Sequence, residues 1–158
     1  MSSNTTHTVS IIIVALISLA TLIYVVVDST ASSKREAVGS DDTPGAIAPY
    51  SKAMWAGNTL YISGQIGMNA NGTFNSNDVS EQTQQTLMNV GNLLEAAGLD
   101  FDNVVRVTVM MTDMGNYGAI NDVYETFFPD PRPTRSAFQV GALPKEEALV
   151  EIDCIAIK

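Results

Sequence analysis

The sequence has few of the residues on which many enzyme mechanisms depend. Of its 158 residues, one is a cysteine and one is a histidine. A single cysteine excludes a disulfide bond within the chain. The histidine, His7, lies near the amino terminus, so the rest of the chain has no Ser-His-Asp or Cys-His arrangement and no His/Cys cluster for zinc. Any chemistry there must use carboxylates, hydroxyls, arginine and water, and we expect no metal or other cofactor.

Positive charge is also scarce. The chain has 8 Lys and Arg residues against 17 Asp and Glu residues, which gives a formal net charge of -9. Proteins that bind nucleic acids concentrate Lys and Arg on one surface to contact phosphates. The composition therefore makes a nucleic-acid partner an unfavoured interpretation.

The amino-terminal region contains one long apolar run. Residues 9–27, VSIIIVALISLATLIYVVV, carry no charge. As a helix, this run would be roughly 28 Å long, close to the hydrocarbon thickness of a bilayer. It predicts a single hydrophobic, membrane-spanning helix after a tail of residues 1–8. A cleaved signal or targeting peptide is the alternative, although the tail lacks the Lys and Arg residues typical of a signal peptide.

Charge beyond the apolar run predicts its orientation. Lys34 and Arg35 follow the run, and by the positive-inside rule they indicate that the domain faces the cytosol. Residues 28–43, rich in Ser, Ala and Asp, are typical of a flexible linker. We therefore expect the folded domain to comprise residues 44–158. If the apolar run is cleaved, the same domain would be free of the membrane.

Sequence periodicity predicts an α+β domain. Gly57-Asn58 lies between two apolar runs and is typical of a hairpin turn. Apolar residues three and four apart predict a helix over residues 77–97, and alternating apolar residues predict a strand over residues 105–111. A second helix is predicted from near Asn116 to before Pro129. Its apolar positions are Tyr117, Ile120, Tyr124 and Phe127. Two strands complete the order, which predicts two helices on one face of a mixed sheet.

Two charged residues lie within the apolar runs near the carboxyl terminus. Arg135 and Glu151 each have apolar neighbours, which is typical of half-buried strands. Charged side chains are seldom buried without a partner, because removing a charge from water is unfavourable. The residues alone leave two interpretations open. The pair forms a structural salt bridge, or the arginine belongs to a small-anion site with an acid/base beside it.

A resemblance favours the second interpretation. The stretch PTRSAFQVGALPKEEALVEID resembles the carboxyl-terminal signature of the RidA (YjgF) family of imine and enamine deaminases. In that signature, a Pro-x-Arg-Ser strand is followed by Leu-Pro and a Val/Ile-Glu-Ile strand. Matching blocks upstream occur in the family's order and spacing: GAIAPYSKAMWAGNTLYISGQIG, LMNVGNLLEAAGL, VVRVTVMMTDM and INDVYETFF. The resemblance covers about residues 43–158.

The resemblance implies a fold, an assembly and an activity. The fold is chorismate-mutase-like, and the assembly is a homotrimer with clefts between its subunits. The activity is hydrolysis of reactive 2-imino and enamino acids to 2-keto acids and ammonia, without a cofactor. Arg135 matches the residue that holds the substrate carboxylate, and Glu151 matches the acidic residue that positions water. The other matching pocket residues are Tyr50, Ser63, Gly64, Asn121 and Ala137.

The match has departures, and several of its residues have simpler interpretations. Many family members have cysteine where this chain has Ala137, so cysteine chemistry has no basis here. Tyr50 is also interpretable as a half-buried aromatic at a strand start. Ser63 and Gly64 are interpretable as a β-bulge, and Asn121 as a solvated helix residue.

Two other functional classes remain open at this point. One is a non-catalytic trimer that binds small carboxylates, because a binding arginine and a catalytic one look alike in sequence. The other is an endoribonuclease, an activity attached to the family by name. The acidic composition weighs against the ribonuclease.

Overall fold

The computed structural model describes residues 35–158. Within this range the chain forms one mixed sheet and two α-helices. The strands are β1 (Arg35–Val38), β2 (Ala53–Ala56), β3 (Thr59–Ile66), β4 (Val104–Met111), β5 (Thr134–Gln139) and β6 (Val150–Ile157); the helices are α1 (Val79–Ala96) and α2 (Tyr117–Tyr124). The strand order is β1-β2-β3-β6-β4-β5. Only the β4–β5 pair is parallel in the described sheet. The predicted α+β class is confirmed.

Both helices begin close to their predicted positions. The Asp78 side chain caps α1 by accepting hydrogen bonds from the backbone N–H groups of Ser80 and Glu81. Helix α2 begins one residue after Asn116, but it ends at Tyr124 rather than before Pro129. The chain beyond it continues in tight turns, because the Thr126 and Phe127 N–H groups bond to carbonyls three residues back.

The hydrophobic core lies between the helices and one face of the sheet. It combines the apolar side of α1 with alternate residues of β3, β4 and β6. Its members include Leu87, Leu94, Val107, Val109, Ile152 and Cys154. Cys154 is a small buried side chain in this core, as its alternation with apolar neighbours predicts.

The predicted linker contains a strand. Residues 28–43 were expected to be flexible, but Arg35–Val38 form β1 and pair antiparallel with β2. The composition of this stretch does not predict the pairing, because the strand is stabilised by backbone hydrogen bonds to the free edge of β2. The ordered domain therefore begins before residue 44.

The predicted membrane helix over residues 9–27 lies outside the described residues. Within residues 35–158, neither helix is both long and apolar enough to cross a bilayer. The membrane-spanning segment thus stays a prediction from the sequence.

The two faces of the sheet have different surroundings. Val107 of β4 is aligned with Cys154 of β6, and both face the helices. Met110 of β4 is aligned with Glu151, so both lie on the opposite face, here called the open face. Large apolar side chains on the open face are exposed, with 50% of Tyr61, 53% of Phe138 and 43% of Ile157 accessible.

A buried glutamine joins α1 to the start of β6. Gln82 is 1% exposed. Its Nε2 donates to the carbonyls of Ser76 and Glu147 at 3.0 and 2.8 Å, and its Oε1 accepts from the Leu149 N–H at 2.8 Å. Leu149 immediately precedes β6, so these bonds fix where that strand begins and, with it, the position of Glu151.

We predict that Gln82→Leu destabilises the domain. The substitution leaves two carbonyls and one N–H, all in part-buried hydrogen bonds, without their partner, so the free energy of unfolding should fall by about 1–3 kcal/mol. Urea denaturation measures this change. The control is Gln84→Leu at an exposed position of the same helix, which should change stability by less than about 0.5 kcal/mol. Equal losses in both variants would contradict the role of the Gln82 bonds.

Candidate active site

A cavity of about 420 Å³ opens beside the junction of β3 and β6. Its lining includes four of the residues predicted from the sequence: Tyr50, Ser63, Gly64 and Glu151. The segment 44–48 and Pro144 form other parts of its wall. The fold therefore brings residues from three separate parts of the sequence to one pocket, which we call the Glu151 pocket.

Ser63 and Gly64 lie in an irregularity of β3. The register between β3 and β6 shifts between Ile62 and Gln65, which is the bulge that the sequence offered as an alternative. The buried Gln65 side chain donates its Nε2 to the Ser63 and Gly64 carbonyls at 2.8 and 3.2 Å. The Ser63 hydroxyl donates to the Ser51 carbonyl at 2.8 Å. The bulge thus forms part of the wall of the Glu151 pocket.

Glycine at position 64 makes room for the Glu151 side chain. A Cβ atom built on Gly64 would overlap the Glu151 carboxylate. A side chain at position 64 would therefore require the Glu151 side chain to move. Burial raises the pKa of the Glu151 carboxyl, and the nearby Asp153 charge raises it further. The result is a carboxylate that holds a proton more tightly than an ordinary exposed one.

Lys52 supports the wall of the pocket, a role that the sequence does not predict. Its Nζ donates to the Ser40 carbonyl at 2.8 Å, the Thr43 carbonyl at 3.1 Å and the Thr43 hydroxyl at 2.8 Å. These bonds satisfy the three N–H donors of the ammonium. They hold the loop before residues 44–48 against β2. Nothing in the local sequence marks Lys52 for this role, because its partners are mainly backbone atoms.

Arg135 lies in a second cluster, which we call the Arg135 cluster. Its Nη2 donates to the Tyr117 hydroxyl at 3.0 Å. Its guanidinium carbon lies 4.6 Å from the centre of the Tyr124 ring and 5.6 Å from that of Tyr117. Both tyrosines belong to α2. Helical periodicity predicts both tyrosines only as the apolar side of a helix, and it does not predict their contact with Arg135. Their spacing of two helical turns was the available signal.

The two remaining predicted residues lie on the Arg135 side of the molecule. Asn121 is on α2, with the helical spacing that puts it on the same side as Tyr117 and Tyr124. Ala137 is two residues after Arg135 on β5 and packs against the core. Neither residue lines the Glu151 pocket.

Arg135 and Glu151 lie on opposite faces of the sheet. Arg135 is aligned with Val107, whose side chain faces the helices, whereas Glu151 is aligned with Met110 on the open face. The ion pairs among residues 35–158 include none between these two side chains. The interpretation of the pair as a salt bridge within one chain is therefore wrong. The residues predicted for the site therefore lie in two separate groups within one chain.

Known proteins share this domain. The sequence model of a family described as "Endoribonuclease L-PSP" matches residues 40–158. The chain is 42% identical over 125 residues to the 2-iminobutanoate/2-iminopropanoate deaminase of Mus musculus, an alignment that covers 78% of this chain and 92% of the relative. It is also 42% identical over 129 residues to Reactive Intermediate Deaminase A, chloroplastic, of Arabidopsis thaliana, covering 81% and 68%.

Solved structures share the fold as well. The crystal structure of E. coli TdcF with bound serine matches with a TM-score of 0.72 at 36% sequence identity. The match covers 78% of this chain and 98% of that one. The architecture of the described domain is thus that of a known group of proteins.

We predict that Gly64 and Glu151 are energetically coupled. Gly64→Ala forces the Glu151 carboxylate from its position, so the free energy of unfolding should fall by about 1–3 kcal/mol. In a Glu151→Ala background, the same substitution should lower the free energy of unfolding by less, because the Glu151 side chain no longer occupies that space. Chemical denaturation of the four proteins measures the coupling.

The control for this cycle is Gly141→Ala, since nothing lies within 4 Å of a Cβ atom at that position. It should lose the same small amount of stability with either residue at position 151. An equal loss for Gly64→Ala in both backgrounds would show that the glycine is not required by Glu151.

Proposed function

This chain belongs to the RidA (YjgF) family, whose sequence model is described as endoribonuclease L-PSP, and from that membership we propose that it hydrolyses reactive 2-imino acids. The products are 2-keto acids and ammonia. It is an enzyme of the deaminase type, like the relatives that carry that name, among them the mouse 2-iminobutanoate/2-iminopropanoate deaminase. The observation that carries the finer proposal is the division of the predicted site into two halves.

A small substrate requires both halves at once. In a 2-imino acid, the carboxylate is attached directly to the imine carbon, so the group that holds the carboxylate and the group that directs water must lie a few ångströms apart. Arg135 and Glu151 of one chain lie on opposite faces of the sheet. We infer that Arg135 of one copy meets Glu151 of another copy.

Features of the sheet support assembly with further copies. Strand β5 is an edge strand, so Arg135 is at the rim of the domain, where a neighbour can approach it. The open face carries the exposed apolar side chains of Tyr61, Phe138 and Ile157. An uncovered apolar surface of this kind is typical of a protein interface. The homotrimer implied by the family resemblance would cover it.

Arg135 has the chemistry to hold the substrate. A guanidinium donates two parallel hydrogen bonds to a carboxylate and fixes the plane of that group. Because the imine carbon is bonded to the carboxylate carbon, fixing one orients the other. The TdcF relative was solved with bound serine, a small molecule that carries a carboxylate. That ligand supports a small carboxylate as the class bound here.

Glu151 has the chemistry to direct water. Its raised pKa, caused first by burial and then by Asp153, makes its carboxylate a better proton acceptor than an exposed one. The water oxygen bonds to the imine carbon as its proton moves to the carboxylate. That proton then passes to the nitrogen, which becomes an amine. The proton of the new hydroxyl follows it by way of the same carboxylate, the carbon–nitrogen bond breaks, and ammonia leaves. The carbonyl of a 2-keto acid remains, and no oxidant or metal enters the balance.

The alternative functions make different demands on the same residues. A carboxylate-binding trimer would use Arg135 and have no need of Glu151 as a proton acceptor. A ribonuclease would require a basic surface, and the net charge of -9 disfavours one. The position of Glu151 in the wall of a cavity, together with its raised pKa, supports the deaminase.

The amino-terminal segment affects location rather than chemistry. We propose either a membrane anchor over residues 9–27, with the domain facing the cytosol, or a targeting peptide that is cleaved. The name of the Arabidopsis relative includes the word chloroplastic, which supports the second alternative.

We predict that Arg135→Lys abolishes most of the activity and leaves the fold intact. A lysine keeps the charge but cannot reproduce the planar fork, so hydrolysis of freshly generated 2-iminobutanoate should fall by roughly tenfold or more. The assay follows ammonia release above the spontaneous background. Arg132→Lys is the matched control, because Arg132 is an exposed side chain that pairs with Asp130 on the surface. Near-normal hydrolysis by Arg135→Lys would refute the role of Arg135.

A further inference from the structure

The Tyr124 ring supplies a fixed surface for the Arg135 guanidinium. The guanidinium carbon lies 4.6 Å from the ring centre, the distance of a cation–π contact. Tyr124 is 5% exposed, and its ring stacks on Phe128 with centres 4.2 Å apart. The core therefore holds the ring, and the ring restrains the plane of the guanidinium.

A stacked guanidinium can still rotate within its own plane. The Tyr117 hydroxyl restrains that rotation, because it accepts a hydrogen bond from Nη2 at 3.0 Å. Tyr117 is 40% exposed, so its hydroxyl lies where a ligand of Arg135 can approach. The two tyrosines thus restrain different motions of one side chain.

The Tyr117 hydroxyl leaves the arginine able to bind. A guanidinium has five N–H donors, and this bond uses one of them. Because the hydroxyl acts as the acceptor, its own O–H remains free to donate to an oxygen bound at the guanidinium. The arrangement suits an anion with two oxygens in one plane.

We propose that Tyr117 is a positioning residue of the carboxylate site. Its hydroxyl holds the Arg135 fork in the orientation that grips a carboxylate, and so favours carboxylate ligands over neutral ones. The inference rests on the proposed function for the identity of the ligand. It extends that function by a residue outside the family motif described above.

The test compares Tyr117→Phe with wild type in the full 158-residue protein. Tyr117→Phe keeps the ring and removes only the hydroxyl. By calorimetry, binding of 2-oxobutanoate should weaken roughly tenfold, because a charge-assisted hydrogen bond is lost. Binding of the neutral 2-oxobutanamide should not change. In the imine assay, KM should rise by a similar factor while kcat stays within about twofold, since Glu151 is untouched.

Thr126→Val is the control, because it removes one exposed hydroxyl just beyond α2 that bonds to the Val123 carbonyl and not to Arg135. It should bind both ligands as wild type does. Tyr117→His is a second substitution, which replaces the hydroxyl oxygen with a ring nitrogen as the acceptor. An intermediate loss of 2-oxobutanoate binding is expected. Sedimentation and denaturation establish that each variant is folded and assembled.

The outcomes separate the inference from the proposed function. If wild type binds 2-oxobutanoate without hydrolysing the imine, the proposed function fails, and selective weakening in Tyr117→Phe still supports the positioning role. If Tyr117→Phe binds 2-oxobutanoate like wild type, the inference is wrong whether or not wild type turns over. Equal weakening for both ligands, or a loss in kcat alone, also overturns it.

Discussion

The alternation of side chains along the central strands is the constraint on which the site depends. Strand β4 lies between β5 and β6, so its pleat sets the direction of side chains on both neighbours. Arg135 is aligned with a β4 residue that faces the helices, and Glu151 with one that faces away. No change of rotamer brings two side chains together through a sheet. Chemistry that needs both residues therefore needs a second copy of the chain.

Each half of the site is held by a different part of the fold. The Glu151 pocket depends on the β3 bulge, on the space left by Gly64 and on Gln82, which fixes the start of β6. The Arg135 cluster depends on α2, whose tyrosines contact the guanidinium. In the proposed assembly, such separate supports would let each half form before the copies associate. Pre-organisation of this kind lowers the entropy lost when substrate binds.

Much of the fold could be predicted from local patterns, and less of the site. Helical spacing and the Asp78 cap predicted α1, because caps and apolar periodicity are local properties. Strand β1 escaped prediction, because its stability comes from pairing with β2 and not from composition. The site residues were named by motif, but their division depends on the parallel pairing of β5 with β4. Spacing along the sequence does not show which strand lies beside β5 or which helix packs over it. Neither the division of the site nor the contact of Arg135 with Tyr117 was therefore predicted.

A subunit-mixing experiment tests the shared site most directly. Arg135→Ala and Glu151→Gln proteins, each nearly inactive alone, are unfolded, mixed in equal amounts and reassembled, with the trimer mass checked by sedimentation. If each site takes Arg135 from one copy and Glu151 from another, random assembly restores about one site in four, so imine hydrolysis should recover to about a quarter of the wild-type rate. A mixture that assembles into trimers and stays as inactive as its components would contradict the account.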